Sequence, residues 1–509
     1  MYFLKKKKWK RTQLQHSRKH TTTPRPILSN VLENIDLIKS FLHHTDDLSV
    51  RELIFNNKQI SLLFINTFVD SETLETKVIQ QIINHPSDSI INTVAVKEIT
   101  KTESLDHVAF KLSQGNTVIF LENETYAFIL DTVSFEKRAI EEPMGEQAIK
   151  GPRDGFVEHL NVNINIIRSK IKSKNLVIKE WILGKESETR VALLYVSSIA
   201  NKEVVKEVEG RLSSVKVDIV QSPGHMEAYI EDNSYSPFQQ VLSTERVDRT
   251  VFGLMEGRVA VLTDGSPSAL VMPITFFAFY QTSDDYNNRW FIASFFRLVR
   301  LFCFFLAISL PALYISLVAY HYEIIPFDLL FNVKASLEHV PFHPLIEAMT
   351  MQIILELLKE ASIRLPSPIA QTIGVVGGLV IGTAVVEASL VSNTMVVIIA
   401  LTAIASFVVP IHEMGTSVRL LGFPLMLSAY LLGLAGIVFG LMVLLVHLCK
   451  LESFGSPYFA PLAPVRLKDF KDTFIRVPLW KMNQRPTTPQ PDQEERQRNA
   501  RGWDNSENK

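Results

Sequence analysis

The chain predicts a cytoplasmic α/β region, built of two related small units, followed by an α-helical polytopic membrane domain. Three observations carry this. First, 47% of the 509 residues are hydrophobic and 21% charged, with a mean hydropathy of +0.14, and the apolar residues are unevenly spread. Polar and apolar residues alternate up to about Trp290, whereas Leu301 to Val446 is mostly apolar. Second, Leu62–Glu75 (LLFINTFVDSETLE) aligns without a gap on Leu193–Lys206 (LLYVSSIANKEVVK). Each reads as a buried strand, a turn, and an Asp or Asn able to cap a helix, which suggests a duplicated unit. Third, no apolar stretch suited to a secretory signal follows the basic start, so the front half is expected to stay in the cytoplasm.

Charge and cysteine usage exclude other classes. The 52 Lys+Arg against 53 Asp+Glu leave a net charge of −1, without the global basic footprint of a nucleic-acid partner. Cys303 and Cys449 lie in or beside apolar runs at no zinc or redox spacing, which excludes a disulfide scaffold. The long apolar runs exclude a purely soluble enzyme.

In chain order, residues 1–29 form a basic arm with Lys5, Lys6, Lys7, Lys8, Lys10 and Arg11 at its start. It is expected to be disordered and solvated, with anionic lipid contact the alternative. Residues 30–140 form the first α/β subdomain. Leu62–Val69 suits a buried strand, and Asp70 or Ser71 can cap a helix with Leu74, Val78 and Ile82 on one face. Thr117–Glu122 and Tyr126–Asp131 flank Asn123-Glu124-Thr125, a hairpin signal. Residues 141–150, with Glu141-Glu142-Pro143-Met144-Gly145, read as a linker.

Residues 151–290 form the second subdomain and a charged connector. Asp154 can cap a helix with Leu160, Ile164, Ile167 and Ile171 inward. Strands follow at Asn175–Ile182 and Arg190–Ser197, then a helix from about Asn201 to Leu212. Thr244 can cap a helix that Gly257 ends in a left-handed conformation. Arg258–Leu262, the Asp264-Gly265 turn and Ala269–Pro273 read as a returning pair of strands.

Residues 291–450 form the membrane domain. Four uncharged runs, near 301–320, 365–386, 388–411 and 420–446, each reach the roughly twenty residues that cross a ~30 Å hydrocarbon core. Only helices keep the backbone of such runs satisfied in lipid. Residues 345–363 read instead as an amphipathic helix, with Glu347, Gln352 and Glu356 interleaved among apolar residues. It lies at the interface or crosses with its polar stripe facing a water-filled path. Counts of basic residues near the span ends tie between four and five crossings, and four, with both termini cytoplasmic, is the simpler expectation. Residues 451–509 form a C-terminal tail, expected to lack structure after about 483.

No catalytic constellation is legible, so the chain is expected not to be an enzyme, and no metal or other cofactor is implied. Gly151-Pro152-Arg153-Asp154-Gly155 precedes a helix but lacks the ending of a phosphate loop, and a capped turn outweighs phosphate binding. The set Glu245, Arg246, Asp248, Arg249, Glu256, Arg258 and Asp264 suits an ion-pair network better than a ligand site. In the apolar region, Gly374, Gly378 and Gly382 allow close helix approach. Glu387 sits at a headgroup-level helix end or, alternatively, on a cation path.

The segments GPRDGFVE (Gly151–Glu158), VALLYVSSIAN (Val191–Asn201), SPFQ (Ser236–Gln239), TERVDR (Thr244–Arg249) and EGRVAVLTDG (Glu256–Gly265) form one ordered set. It continues with PITFF (Pro273–Phe277), Ser283–Trp290, Ala370–Gly374, Ala400–Phe407 and SFGSPYFAPLAP (Ser453–Pro464). With these motifs the chain resembles, from about residue 30 to 480, the A subunits of GerA-type germinant receptors of endospore-forming bacteria. It departs from that pattern at Val247 (usually Pro), Gln239-Gln240 (usually Pro-Gln), Glu387 (more often Gln) and Ile411–Ser417. The resemblance implies a nutrient-sensor subunit in the spore inner membrane, acting with an integral-membrane B subunit and a lipoprotein C subunit. Nutrients would bind chiefly through the B subunit, while A subunits form a homo-oligomer that conducts monovalent cations. Arg153, Asp154 and the TERVDR charges would then be assembly elements, and Glu347, Gln352, Glu356 and Glu387 pore candidates. A secondary transporter and a membrane-anchored scaffold remain alternatives, the first disfavoured by the lack of an inverted repeat.

Overall fold

The structure is a computed structural model. It describes residues 25–56, 58–84, 90–133, 143, 145–146, 149–497 and 500–501, with side chains at 367, 368, 370, 371, 373, 376 and 381 excepted. Most of the basic arm and part of the 141–150 linker lie outside the described residues. The chain divides into two compact units, one of Ser49–Ile65 and Val69–Val133 with the residues before Leu42, the other of Leu42–Leu48, Asn66–Phe68 and everything from Ser134 onward.

The first unit begins with α1 (Val31–Phe41) and has strands β1 (Leu48–Phe55), β2 (Lys58–Ile65), β3 (Ile99–Thr102), β4 (Thr117–Leu121) and β5 (Ala127–Leu130). Their order across the sheet is β1-β2-β4-β5-β3. The hairpin read around Asn123 is present, with Ile119 opposite Phe128. Asp70 caps as expected, its Oδ1 accepting from the Glu72 N–H at 3.1 Å.

In the second unit, α2 (Leu160–Lys170) leads into β6 (Leu176–Leu183) and β7 (Thr189–Val196), then α3 (Lys202–Ser214) and α4 (Pro223–Ile230). After these come β8 (Leu242–Thr244), α5 (Val247–Glu256), β9 (Val259–Thr263) and β10 (Ala269–Met272). The sheet order is β6-β7-β9-β10-β8, the same permutation as in the first unit. The gapless alignment also holds in register: Leu62 faces Ile119 on the fourth strand of its unit, and Leu193 faces Val261 on the fourth strand of the other. The Asn201 side chain caps α3 from the position matching Asp70, accepting from Glu203 N–H at 2.8 Å.

Strand alternation builds a three-layer unit. Ile178, Ala192, Leu194, Ala260 and Leu262 pack on α2 and α5, and Val191, Leu193, Val261 and Leu270 pack on α3 and α4. Gly257 ends α5 with φ +98°, as its position predicts. Two expected caps differ. Thr244 lies on β8, and its hydroxyl accepts at 3.2 Å from the N–H of Arg246, the residue just before α5. Asp154 does not cap α2 but pairs with Lys170 at 2.5 Å. The α2 N-terminus is met from far along the chain, by Asp264 Oδ1 accepting from Leu160 N–H at 3.0 Å. Any acceptor that reaches the orphan N–H groups serves, so local order does not decide which one does.

The helices of the apolar region are α6 (Trp290–Ala319), α7 (Phe327–Leu337), α8 (Pro344–Arg364), α9 (Ser367–Glu387), α10 (Asn393–Phe407) and α11 (His412–Lys450). Among the described residues, α6 and α11 are long and apolar enough to cross a membrane.

The run read as one span over 420–446 is in fact a helical hairpin. A straight α11 would place Glu413 and His447 about 50 Å apart. Instead Gln239 bonds Glu413, and Ser236, three residues away, meets His447 Nε2 at 3.0 Å. The reversal is at Gly433, with φ +62° and ψ −140°, a backbone region essentially closed to other residues. Gly436 and Gly440 let the arms close: a Cβ on either would overlap the Ser428 carbonyl or the Leu425 side chain.

Contacts elsewhere set the direction of each helix. Tyr320, just past α6, donates from its hydroxyl to the Tyr430 carbonyl beside the hairpin tip at 2.5 Å, and His343, at the start of α8, packs its ring on Tyr430. Farther along α8, Glu356 pairs with Arg419 at 2.6 Å, and Lys359 stands over the Phe407 ring. Ser392, which caps α10, donates its N–H to Glu347 Oε2 at 3.0 Å. The arms α6, α8, α9, α10 and the two halves of α11 therefore run alternately away from and back toward the second sheet. The run at 388–411 is helical only over the fifteen residues Asn393–Phe407, because Ser392 starts the helix and Pro410 lies just beyond its end.

The tail also differs from the expectation. Residues 484–495 are held to the second unit and to one another through backbone carbonyls. Arg485 donates to the carbonyls of Met255, Gln493 and Glu495 at 2.8, 2.8 and 2.5 Å. Asp492 N–H reaches the Ile199 carbonyl at 2.9 Å. A guanidinium at the carbonyl end of α5 is favoured by the helix dipole, a long-range effect that composition does not report.

Candidate functional site

The charged motifs meet at the base of the bundle. The GPRDG loop and the TERVDR loop, some ninety residues apart, form a β-bridge between Gly155 and Arg246. Phe156 N–H donates to the Glu245 carbonyl at 2.9 Å and Val247 N–H to the Asp154 carbonyl at 3.4 Å. Arg246 is buried and donates to Asp248 and to the carbonyls of Glu146 and Pro152. Arg249 holds Glu146 at 2.9 Å and also donates to the Ala278 and Gln281 carbonyls. Glu245 accepts from Gly145 N–H, and Arg258 pairs with the buried Glu256 at 3.1 Å. Arg153 is exposed on the loop before α2. These charges thus stitch two loops and the segment 278–281 that precedes α6 into one piece.

At the centre of this junction is a group that the sequence reading did not single out. Arg297, on the third turn of α6, is 1% exposed. Its Nε bonds Asp285 at 3.0 Å, and its Nη1 bonds the Asp472 carboxylate at 2.9 Å and also the Asp472 carbonyl. Arg300, one turn on, takes Asp285 at 2.8 Å, and the Tyr286 hydroxyl donates to Asp472 at 3.0 Å. Two arginines spaced i, i+3 just before an apolar run are the signal that was available: such a pair must find carboxylates or leave the helix unburied. Phe276 and Phe277 close the junction, packing on Phe304, Phe459 and Phe474. A cavity of about 410 Å³ opens beside Glu256, Arg258 and the tail.

Burial pushes the Glu256 carboxyl up to about 7, with Arg258 pulling the other way. Burial, then Glu413 and Glu231, pushes Glu227 up to about 8. Below their ordinary value of 4.5 both groups are protonated in either state. Above it the unfolded chain releases protons that the folded chain keeps, so stability falls as pH rises from about 4.5 to about 7 and beyond, to about 8 for Glu227. Glu256→Gln is expected to remove its share of that fall and leave Glu227's. Melting in detergent from about pH 5 to 8 measures this, and an unaltered slope would show that Glu256 is ionised throughout.

In the bundle, the polar stripe of α8 does not face a single lumen. Glu347 and Gln352 are 1% and 2% exposed, and one carboxylate oxygen of Glu347 and the amide oxygen of Gln352 have no hydrogen-bond partner. Glu356 is held by Arg419, and Glu387 is exposed at the last residue of α9. Among the described residues, nothing outside their own helix backbone lies within 4 Å of where a Cβ would stand on Gly374, Gly378 or Gly382, the glycines expected to pack helices. That face of α9 is open within one chain, and the close packing falls to Gly433, Gly436 and Gly440 instead.

An α/β unit joined through a buried ionic junction to an apolar helical bundle, and preceded by a second α/β unit of the same strand order, defines a protein that couples a folded domain to membrane-type helices. The chain belongs to the Bacillus/Clostridium GerA spore germination protein family, whose profile matches residues 36–488. It is 39% identical over 464 residues to spore germination protein GerQA of Bacillus cereus, covering 90% of this chain and 93% of the relative. It is 38% identical over 472 residues to the uncharacterized membrane protein YfkQ of Bacillus subtilis (strain 168), covering 91% and 92%. To spore germination protein A1 of the same strain it is 37% identical over 458 residues, covering 88% and 94%. The crystal structure of the N-terminal domain of the A subunit of the Bacillus megaterium germinant receptor GerK3 aligns at 22% identity over 50% of this chain and 99% of that one. Its TM-score of 0.38 is too low to carry an argument.

Proposed function

We propose that the chain is the non-enzymatic A subunit of a nutrient germinant receptor in the spore inner membrane. In this reading the long arms of the bundle cross the bilayer, the α/β units and both termini lie on the cytoplasmic side, and subunits oligomerise around an ion-conducting path. An integral-membrane B subunit and a lipoprotein C subunit complete the receptor. The observation that carries oligomerisation is the open face of α9: an apolar helix whose three glycines meet nothing among the described residues is shaped for close approach by a neighbouring helix. The ionic junction supports coupling, because the domain cannot shift without moving Arg297 and hence α6. The full chain, reconstituted with its partners in liposomes, should release potassium on addition of nutrient. Silence with assembly intact would leave a scaffold, and solute uptake by this chain alone would indicate a transporter.

The buried face of α8 yields a further expectation. A methionine at Gln352 removes an amide whose oxygen is unbonded and fills similar space, so folding should be neutral within ~1.5 kcal/mol. Glu347→Met also forgoes the bond to Ser392 N–H, worth about 1.5–3 kcal/mol for a charged acceptor. If cation release persists in folded Glu347→Met and Gln352→Met receptors, the conducting path does not involve these groups; loss of release with melting unchanged places them on it.

A further inference from the structure

We propose that the first turns of α6 and the tail segment 465–481 together form a binding surface for anionic lipid headgroups, on the side of the bundle that adjoins the second α/β unit. The inference rests on the membrane reading above. The thirty residues of α6 span about 45 Å, against a hydrocarbon core of ~30 Å. About ten residues are therefore surplus, and the polar contacts of Arg297 and Arg300 place them at the start of the helix.

One face of this start is sealed to the α/β unit by those arginines. The other carries a stripe at alternating spacings of four and three, Phe291, Phe295, Leu298, Phe302 and Phe305, each at least half exposed. The stripe runs without a break from the headgroup level into the hydrocarbon-facing surface, and Trp290 stands at its head. Aromatic rings at that depth are the usual furniture of the interface.

The tail segment is fastened beside this stripe. Arg476 N–H bonds Ser294 Oγ at 3.1 Å, and its guanidinium reaches the carbonyls of Asn288 and Tyr286 at 3.2 and 3.1 Å. The segment exposes Val465 (69%), Leu467 (76%), Ile475 (50%) and Leu479 (47%). Lys468, Lys471 and Lys481 stand among them, and among the described residues none pairs with a carboxylate. The acids of the segment are turned to other work: Asp472 to Arg297 and Tyr286, and Asp469 to Thr487. What faces outward is therefore apolar and positive. Exposed aliphatic groups interleaved with lysines suit a surface whose apolar parts enter the headgroup–acyl boundary while the ammonium groups meet phosphates. Charge and continuity with the lipid-facing stripe both favour anionic lipid over a second copy of the chain or another protein.

The test uses the full chain with the tryptophans other than Trp290 and Trp480 changed to phenylalanine, reconstituted in phosphatidylcholine vesicles. These contain a minor fraction of doxyl-labelled phosphatidylglycerol or doxyl-labelled phosphatidylcholine. Wild-type fluorescence should be quenched at lower mole fraction by the anionic label, by up to about fivefold for each lysine engaged. Lys468→Glu, Lys471→Glu and Lys481→Glu together should bring the two labels level while quenching by phosphatidylcholine persists; the corresponding glutamines should fall between. Equal quenching in the wild type overturns the headgroup assignment. No quenching by either label means that protein covers the patch and also overturns it. If the chain fails to float with the vesicles, the membrane reading itself has failed, an outcome separate from both.

Discussion

Arg297→Met is expected to cost about 3–5 kcal/mol and to free the tail, because a buried ion pair that loses one partner strands the other charge. Two carboxylates depend on this guanidinium, but not equally. Asp285 keeps Arg300 at 2.8 Å, whereas among the described residues the Asp472 carboxylate keeps the Tyr286 hydroxyl alone, at 3.0 Å. Burial already holds the Asp472 carboxyl above its ordinary range against the pull of Arg297. Without Arg297 the way to relieve that charge is to let residues 470–476 leave their seat. Trypsin should then cut at Lys468, Lys471 or Arg476 in the folded variant and not in the wild type. Arg297→Met with Asp472→Asn should recover part of the loss, since no charge is then stranded. A wild-type melting temperature in Arg297→Met would show that the junction is solvated and contributes little.

The hairpin in α11 leads to the other large effect. Gly436→Leu is expected to prevent the arms from closing, because the first added carbon would overlap the Ser428 carbonyl, which is backbone and cannot swing aside. Gly433→Ala should cost about 1–3 kcal/mol for its positive φ and reversed ψ, and its Cβ would approach His321 Nε2. Gly440→Ala should be mildest, since it meets the movable end of Leu425. Spin labels at positions 413 and 447 read the geometry directly. They should lie close together in the wild type and move apart, or report an unfolded second arm, in Gly436→Leu. A wild-type separation of about 50 Å would falsify the hairpin and restore a single straight helix.

Local patterns were legible wherever neighbouring residues decide the outcome. The Asn123 hairpin, the caps at Asp70 and Asn201, and the left-handed Gly257 rest on contacts within a few residues, and these features stand where the sequence places them. The duplication was legible because a buried strand and a capped helix leave the same mark twice, although the shared strand permutation was not. The TERVDR charges were legible as ion pairs, yet their partners Glu146 and Pro152 lie about a hundred residues away.

The sequence by itself determined that an α/β front is followed by helices too apolar for water, since hydropathy is a property of composition and strand alternation a property of adjacent residues. Only the tertiary structure decided which charges are buried, which glycines pack, and where the longest apolar run turns back. Each of those depends on atoms brought together from distant parts of the chain. The energy of a buried guanidinium, or the clash of a single Cβ, is set by the neighbours that folding supplies and has no counterpart in the local pattern.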